Sequence, residues 1–223
     1  ALVACAAIMG LRVTGGPVAA RVIDPMIYPN IPTIDLAHET QRQVIVDREP
    51  GQYLGHPSTV LLDDDRTMIV VYPRGHGLGA IHMKRSSDGG LTWSERLPVP
   101  KNWETSQESP TIYRMRDALG MERLVLFSGV QPVRSAVSED GGKTWTELAP
   151  IGNFGGIVAM SSVVRLSDGS YMALAHHHAP NVGILPPDMP AAQRAEWARR
   201  IFAGQMVVYK TISRDGGLTW SWP

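Results

Sequence analysis

The chain has 223 residues, with 21 Lys+Arg against 21 Asp+Glu and a formal net charge of zero. That balance gives no basic field for nucleic acid. The single cysteine, Cys5, excludes an internal disulfide. The 22 glycines and 17 prolines suit a turn-rich all-β protein, and no apolar run is long enough to predict a membrane span.

Residues Ala1 to Ala20 are small and apolar, interrupted by Arg12. They read as the end of a secretory signal, with Val18-Ala19-Ala20 as a small-residue cleavage site. Leu2-Val3-Ala4-Cys5 also has the form of a lipid-attachment box, so Cys5 is a candidate anchor. A secreted or periplasmic location follows as an expectation. Residues 21–52 form a Pro-containing lead-in with a strand expected at Gln43 to Asp47, one that would close the last blade of a propeller and has no partner beside it in the sequence.

From 53 onward the sequence repeats itself. Ser-x-Asp-Gly-Gly-x-Thr-Trp occurs at Ser86–Trp93, Ser138–Trp145 and Ser213–Trp220. A unit recurring at long spacing fixes the architecture. Asp-Gly-Gly predicts a tight turn in which glycine supplies positive φ. Asp88, Asp140 and Asp215 are expected to accept N–H bonds across their turns. They are therefore structural carboxylates rather than catalytic ones. Trp93, Trp145 and Trp220 begin the returning strands and fill gaps between neighbouring sheets.

Strands are expected before each turn. The first group is His56 to Leu62, Thr67 to Tyr72 and Ala80 to Arg85. The second is Glu108 to Met115, Arg123 to Ser128 and Val133 to Val137. The third is Met160 to Leu166, Tyr171 to His176 and Met206 to Ile212. A fourth strand in each group begins at the Trp. Four antiparallel strands make one propeller blade, so residues 53–223 hold about three blades. An insertion at 190–202 is helix-forming, with Pro190 at its start. Three blades leave open sheet ends with unpaired backbone groups, and Trp220, close to the last residue, is expected to lose part of its packing.

Strand direction sorts the chemistry-bearing residues without any coordinates. The turns join strands three and four at one end. The start of strand one, the end of strand two and the start of strand three meet at the other end. His56, Glu108 and Ser161 occupy equivalent places at the starts of the three first strands. The loop with Arg74 and His76, together with Arg134, His176 and His177, belongs to the same face. Polar groups gathered at such a mouth form the default ligand site. Glu108 and His76 are the candidate acid/base groups. His56, Ser161, His176 and His177 are candidate sugar contacts. Arg74 and Arg134 are candidate clamps for an anionic group. His176 and His178 share one side of a strand, but no third metal ligand is evident in the spacing. Neither metal nor cofactor is expected.

The three repeats are identified as Asp boxes, the bacterial neuraminidase repeat, and the layout resembles exo-α-sialidases. That resemblance implies a six-bladed propeller in the complete protein and a glycan or glycoconjugate partner. It implies hydrolysis of a terminal sialic acid or a related acidic sugar by a tyrosine nucleophile, with arginines on the substrate carboxylate. Gly55-His56-Pro57 stands where that family has Arg-Ile-Pro, and the loop from Pro73 to Gly79 holds no carboxylate for the family's acid/base. No catalytic residue carries over from that motif. Two other readings share the fold: a non-catalytic carbohydrate-binding or scaffold propeller, and a polysaccharide lyase acting on uronic-acid polymers.

Overall fold

The computed structural model describes residues 34–77, 79–178, 190–193 and 206–221. The leader-like segment 1–20, with Cys5, lies outside them, as does most of the helix expected over 190–202; residues 191–193 are helical. The chain divides into two units, 1–43 and 44–223. The described part of the first is a single 3-10 turn, Thr40–Arg42, with Arg42 paired to Glu39 at 3.0 Å. Among the described residues no helix is long and apolar enough to cross a membrane.

The second unit is all-β, built from three antiparallel sheets, none of them closed. The first contains β1 (Ser58–Leu61), β2 (Met68–Pro73) and β3 (Ile81–Ser86). The second contains β4 (Thr111–Arg116), β5 (Glu122–Ser128), β6 (Arg134–Ser138) and the short β7 (Ala149–Pro150). The third contains β8 (Ile157–Arg165), β9 (Tyr171–His178) and β10 (Met206–Ser213).

Side-chain alternation along the middle sheet explains how the three pack. Ile112, Leu124, Leu126 and Ala136 point one way, into a core shared with Val60, Ile69, Val71, Ile81 and Met83 of the first sheet. Met115, Val125 and Phe127 point the other way, into a second core with Ala159, Met160, Tyr171 and Ala173 of the third. The sheets therefore stack in chain order, and the first strands are neighbours: β1 touches β4, and β4 touches β8.

Each repeat folds into the same hydrogen-bonded turn. In the second, Ser138 Oγ donates to Asp140 Oδ1 at 2.8 Å and accepts from Gly142 N at 2.8 Å. Asp140 Oδ1 also accepts from Lys143 N and Thr144 N, both at 2.9 Å, and Oδ2 accepts from Thr144 Oγ1 at 2.6 Å. Trp145 Nε1 reaches back to Gly142 O at 3.3 Å. Asp88 and Asp215 sit in matching networks. The second and third indoles pack on the preceding sheet. Trp145 lies edge-on to Trp103 at 5.4 Å in the first core, and Trp220 edge-on to Phe127 at 5.6 Å in the second. Trp220 is thus only 9% exposed, contrary to expectation, because its packing comes from the sheet before it.

Two further expectations fail. Residues 43–47 form no strand. That segment is held by side chains instead of a ladder. Lys84 Nζ donates to Val46 O at 2.8 Å, while the Asp47 carboxylate accepts from Tyr72 OH and from Arg96 Nε at 2.7 Å. A regular fourth strand is also absent from the first sheet. After Trp93 two bonds to β3 form, Ser94 N to Arg85 O and Leu97 N to Met83 O, and then Pro98 and Pro100, lacking N–H groups, stop the ladder.

The turns should make the fold acid-sensitive. Hydrogen bonds from the Thr92 side chain and backbone, with Ser86, hold Asp88 at about 2 against an ordinary 3.8. Hydrogen bonds from Thr144, with Ser138 and Lys143, hold Asp140 well below the ordinary carboxylate range. At Asp215 burial pushes upward, and the bonds from Thr219, Ser213 and Leu218 outweigh it. A carboxylate whose folded pKa lies below its unfolded one stabilises the fold above the unfolded value, and loses that effect as pH falls through the folded one. The melting temperature should be level down to about pH 5 and fall between about pH 4 and 2. Asp140→Asn should lower it at pH 7 and make the fall shallower, measured by circular dichroism melts across that range. An unchanged acid slope in Asp140→Asn would remove the turn carboxylates as its source.

Candidate functional site

The adjacent starts of β1, β4 and β8 open into a cleft of about 600 Å³ at the end opposite the repeat turns. Four residues singled out from the sequence line it together: His56, His76, Glu108 and Ser161. They come from three different sheets or the loops leading into them.

Glu108 is half-buried just ahead of β4. Its Oε1 accepts from Ser109 N at 2.8 Å. Its backbone carbonyl accepts from Ser106 Oγ at 2.9 Å, and Ser106 Oγ lies 2.8 Å from Ser128 Oγ at the end of β5. The stem rests against Gly129, where an added Cβ would sit 3.1 Å from the Glu108 Cβ. The side chain is therefore fixed at its carboxylate by Ser109 N and at its stem by Gly129. Gly77, with φ +75°, brings the β2–β3 loop alongside, and a Cβ there would stand 3.4 Å from Glu108 Oε1. His76, next in the chain, is exposed to solvent. Its ring lies 4.6 Å from that of His56, edge to face, and 5.4 Å from that of Tyr53.

The cleft floor is strained. His56 (φ 49°) and Val158 (φ 47°) line it in the left-handed region, and Met160 (φ 53°) follows closely. Such a conformation costs a non-glycine residue about 1–3 kcal/mol and clusters at functional sites. Val158 and Met160 belong to an irregularity of β8 between Ile157 and Ser162. Side chains of β4 clamp it. Tyr113 OH donates to Met160 O at 2.6 Å, and Thr111 Oγ1 donates to Ala159 O at 3.2 Å. Burial pushes the Tyr113 hydroxyl pKa up, which keeps it a donor.

The remaining candidates are elsewhere. Arg74 Nη2 is 2.6 Å from Glu49 Oε1, in a second cleft with Arg96, Asp47 and His82. Arg134 turns to Thr105, donating to its Oγ1 and its carbonyl, each at 2.8 Å. Burial lowers its guanidinium pKa from the usual value. His177 is only 3% exposed on β9, and His176 lies in register with Ile157 without lining the cleft. Among the described residues no group of three His, Cys, Asp or Glu could hold a metal ion.

Sequence reasoning passed over Tyr53, Ser58, Thr111 and Tyr113. A signal existed for the last two: Thr111 and Tyr113 alternate with the core residue Ile112 on an inner strand, so their polar tips face away from that core.

No family model matches the chain, and no curated protein matches it. Solved structures do. A protein of unknown function from Dyadobacter fermentans aligns at TM-score 0.52 and 14% identity over 80% of this chain and 56% of its own. A variant of NanB sialidase from Streptococcus pneumoniae aligns at TM-score 0.42 and 18% identity over 53% of this chain and 19% of its own. The intramolecular trans-sialidase from Ruminococcus gnavus, in complex with oseltamivir carboxylate, aligns at TM-score 0.41 and 21% identity over 59% and 30%. The chain thus spans 56% of the first of these structures and smaller shares of the sialidases. At such identities the likeness is one of fold, carried by the Dyadobacter protein.

Proposed function

We propose that the chain is a carbohydrate-active segment of a β-propeller, six-bladed in full by its Asp-box resemblance, with glycoside hydrolase chemistry in the cleft at the starts of β1, β4 and β8. One observation carries the reading: Glu108, His56, His76 and Ser161 converge from separate sheets on one cleft, away from the repeat turns. Glu108 is the acid/base, His76 exchanges a proton with the leaving group or the attacking water, and His56 and Ser161 bond to sugar hydroxyls. The sialic acid version of this reading calls for arginines on the substrate carboxylate. Arg74 is engaged by Glu49 and Arg134 by Thr105, so the proposal is made for a glycoside without that restriction. A secreted or periplasmic location belongs to the same proposal and rests on the composition of residues 1–20.

A second reading has an observation of its own. Glu108 is the one carboxylate among the described cleft residues, whereas glycoside hydrolysis ordinarily uses two. A cleft that binds a glycan without cleaving it fits that count. Chromogenic glycosides and direct glycan binding, measured side by side on the protein and on Glu108→Gln, separate the two. Turnover lost in Glu108→Gln supports the hydrolase. Binding without turnover in the parent protein supports the binder. Neither turnover nor binding would end both.

A further inference from the structure

Among its described lining residues the cleft carries one formal charge. Glu108 is ionisable to an anion, and none of the described lining residues is a Lys or Arg. Among the described residues, the two arginines expected at this end have their guanidinium groups engaged, Arg74 by the Glu49 carboxylate and Arg134 by the oxygens of Thr105. A carboxylate entering this cleft would lose water, meet no cation among the described lining residues and sit beside Glu108. Like charges in a shared, partly desolvated site repel strongly.

The polar inventory points the same way. An anionic ligand accepts hydrogen bonds and needs donors. A sugar hydroxyl both donates and accepts. Neutral imidazoles offer one donor and one acceptor each, and a serine hydroxyl offers both. His56, His76 and Ser161 are exposed in the cleft. Glu108 adds an acceptor, with Oε1 already taking one N–H from Ser109. Three other lining hydroxyls are engaged by the fold. Ser58 Oγ accepts from Ile112 N at 3.1 Å, while Thr111 and Tyr113 donate to backbone carbonyls of the β8 irregularity. Gln107 and Ser109 also line the cleft, and both are mixed donor–acceptor groups, so the described lining offers a ligand such groups and one anion.

We propose that this cleft takes an uncharged sugar, a neutral hexose or N-acetylhexosamine unit, and that Glu108 excludes sugars bearing a carboxylate. This rests on the glycan reading of the cleft and narrows it.

The test uses pairs that differ only at C6: methyl galactoside against methyl galacturonide, and methyl glucoside against methyl glucuronide. Binding is read by calorimetry or protein NMR at about pH 8, above the ordinary imidazole range. Aryl glycosides of the same four sugars give turnover. The neutral member of at least one pair should bind about tenfold or more tightly than its acidic twin. Glu108→Gln should close that gap by admitting the acidic member. Ser161→Arg, on an exposed position of β8, should reverse the preference by adding a cation; melting temperatures establish that both variants fold. Equal or stronger binding of the acidic twins overturns the inference. A preference that survives Glu108→Gln overturns the role of Glu108 in it. Preferential cleavage of the acidic aryl glycosides, lost in Glu108→Gln, would keep the hydrolase reading and sink this one. Neutral binding without cleavage does the reverse. No binding by any of the four at about 10 mM overturns both.

Discussion

Glu108→Gln should lower turnover of a cleaved glycoside by about 10²-fold or more, as expected for loss of a positioned acid or base. That is about 2.7 kcal/mol of transition-state stabilisation. The melting temperature should move little. Glutamine keeps the stem that rests on Gly129, and its carbonyl oxygen can still accept from Ser109 N. KM should change far less than kcat, because a single exposed-side contact is lost on binding while the proton transfer is lost entirely. His76→Gln should give a smaller loss of turnover, because glutamine keeps a hydrogen-bonding end but cannot relay a proton as imidazole does. A Glu108→Gln variant with full kcat would place the chemistry elsewhere. The pairing Asp140→Asn, folded but inactive, with Glu108→Gln, folded and active, would invert the assignment of functional and structural ends.

What could be read from the sequence was local or followed from strand direction. Each repeat turn closes within eight residues, so Asp140 and its four bonds to Ser138, Lys143 and Thr144 need nothing from elsewhere in the chain. The meeting of His56, Glu108 and Ser161 needed only the alternation of antiparallel strands, since that rule fixes which ends lie together. Arg74 shows where such reasoning stops. It lies in the expected loop, but its side chain goes to Glu49, 25 residues earlier. That choice is made by a cluster in which Arg96 also bridges Asp47 and Glu49. Within it burial would raise the Asp47 pKa, and the bonds from Tyr72, Arg96 and Arg48 pull it well below the ordinary range. The same cluster explains why residues 43–47 anchor through charge and make no strand. Arg134 likewise depends on Thr105, 29 residues away. The β8 irregularity is the third case. Val158 in a left-handed conformation contradicts its own β-branched preference, and the clamp from Tyr113 and Thr111 that fixes it is tertiary.

Gly142→Ala should be among the most destabilising single changes in the unit, at about 2–5 kcal/mol, through two separable costs. The first is conformational. Gly142 has φ +81°, and an alanine there pays about 1–2 kcal/mol for the left-handed region. The second is steric. A Cβ at 142 would stand 2.3 Å from Ile69 Cδ1 and 3.3 Å from Leu124 Cδ1. Ile69 is fully buried and Leu124 nearly so. Moving the isoleucine off its rotamer in a packed core adds about 1–3 kcal/mol. The neighbouring glycine isolates the first cost. Gly141 has φ +70°, and a Cβ there would meet only Leu62 Cδ1, at an ordinary 3.7 Å. Gly141→Ala should therefore show the conformational loss alone. The steric part is then open to rescue. Ile69→Val removes the clashing Cδ1, so Gly142→Ala should cost less in that background than in the parent, with a favourable coupling of about 1 kcal/mol or more. Gly141→Ala should show no such coupling. Equal losses for the two glycines, or no rescue by Ile69→Val, would mean that the second turn is not wedged against the first sheet as its geometry requires. A measured difference would locate the repeat's second glycine as the point where a local turn becomes a contact between sheets.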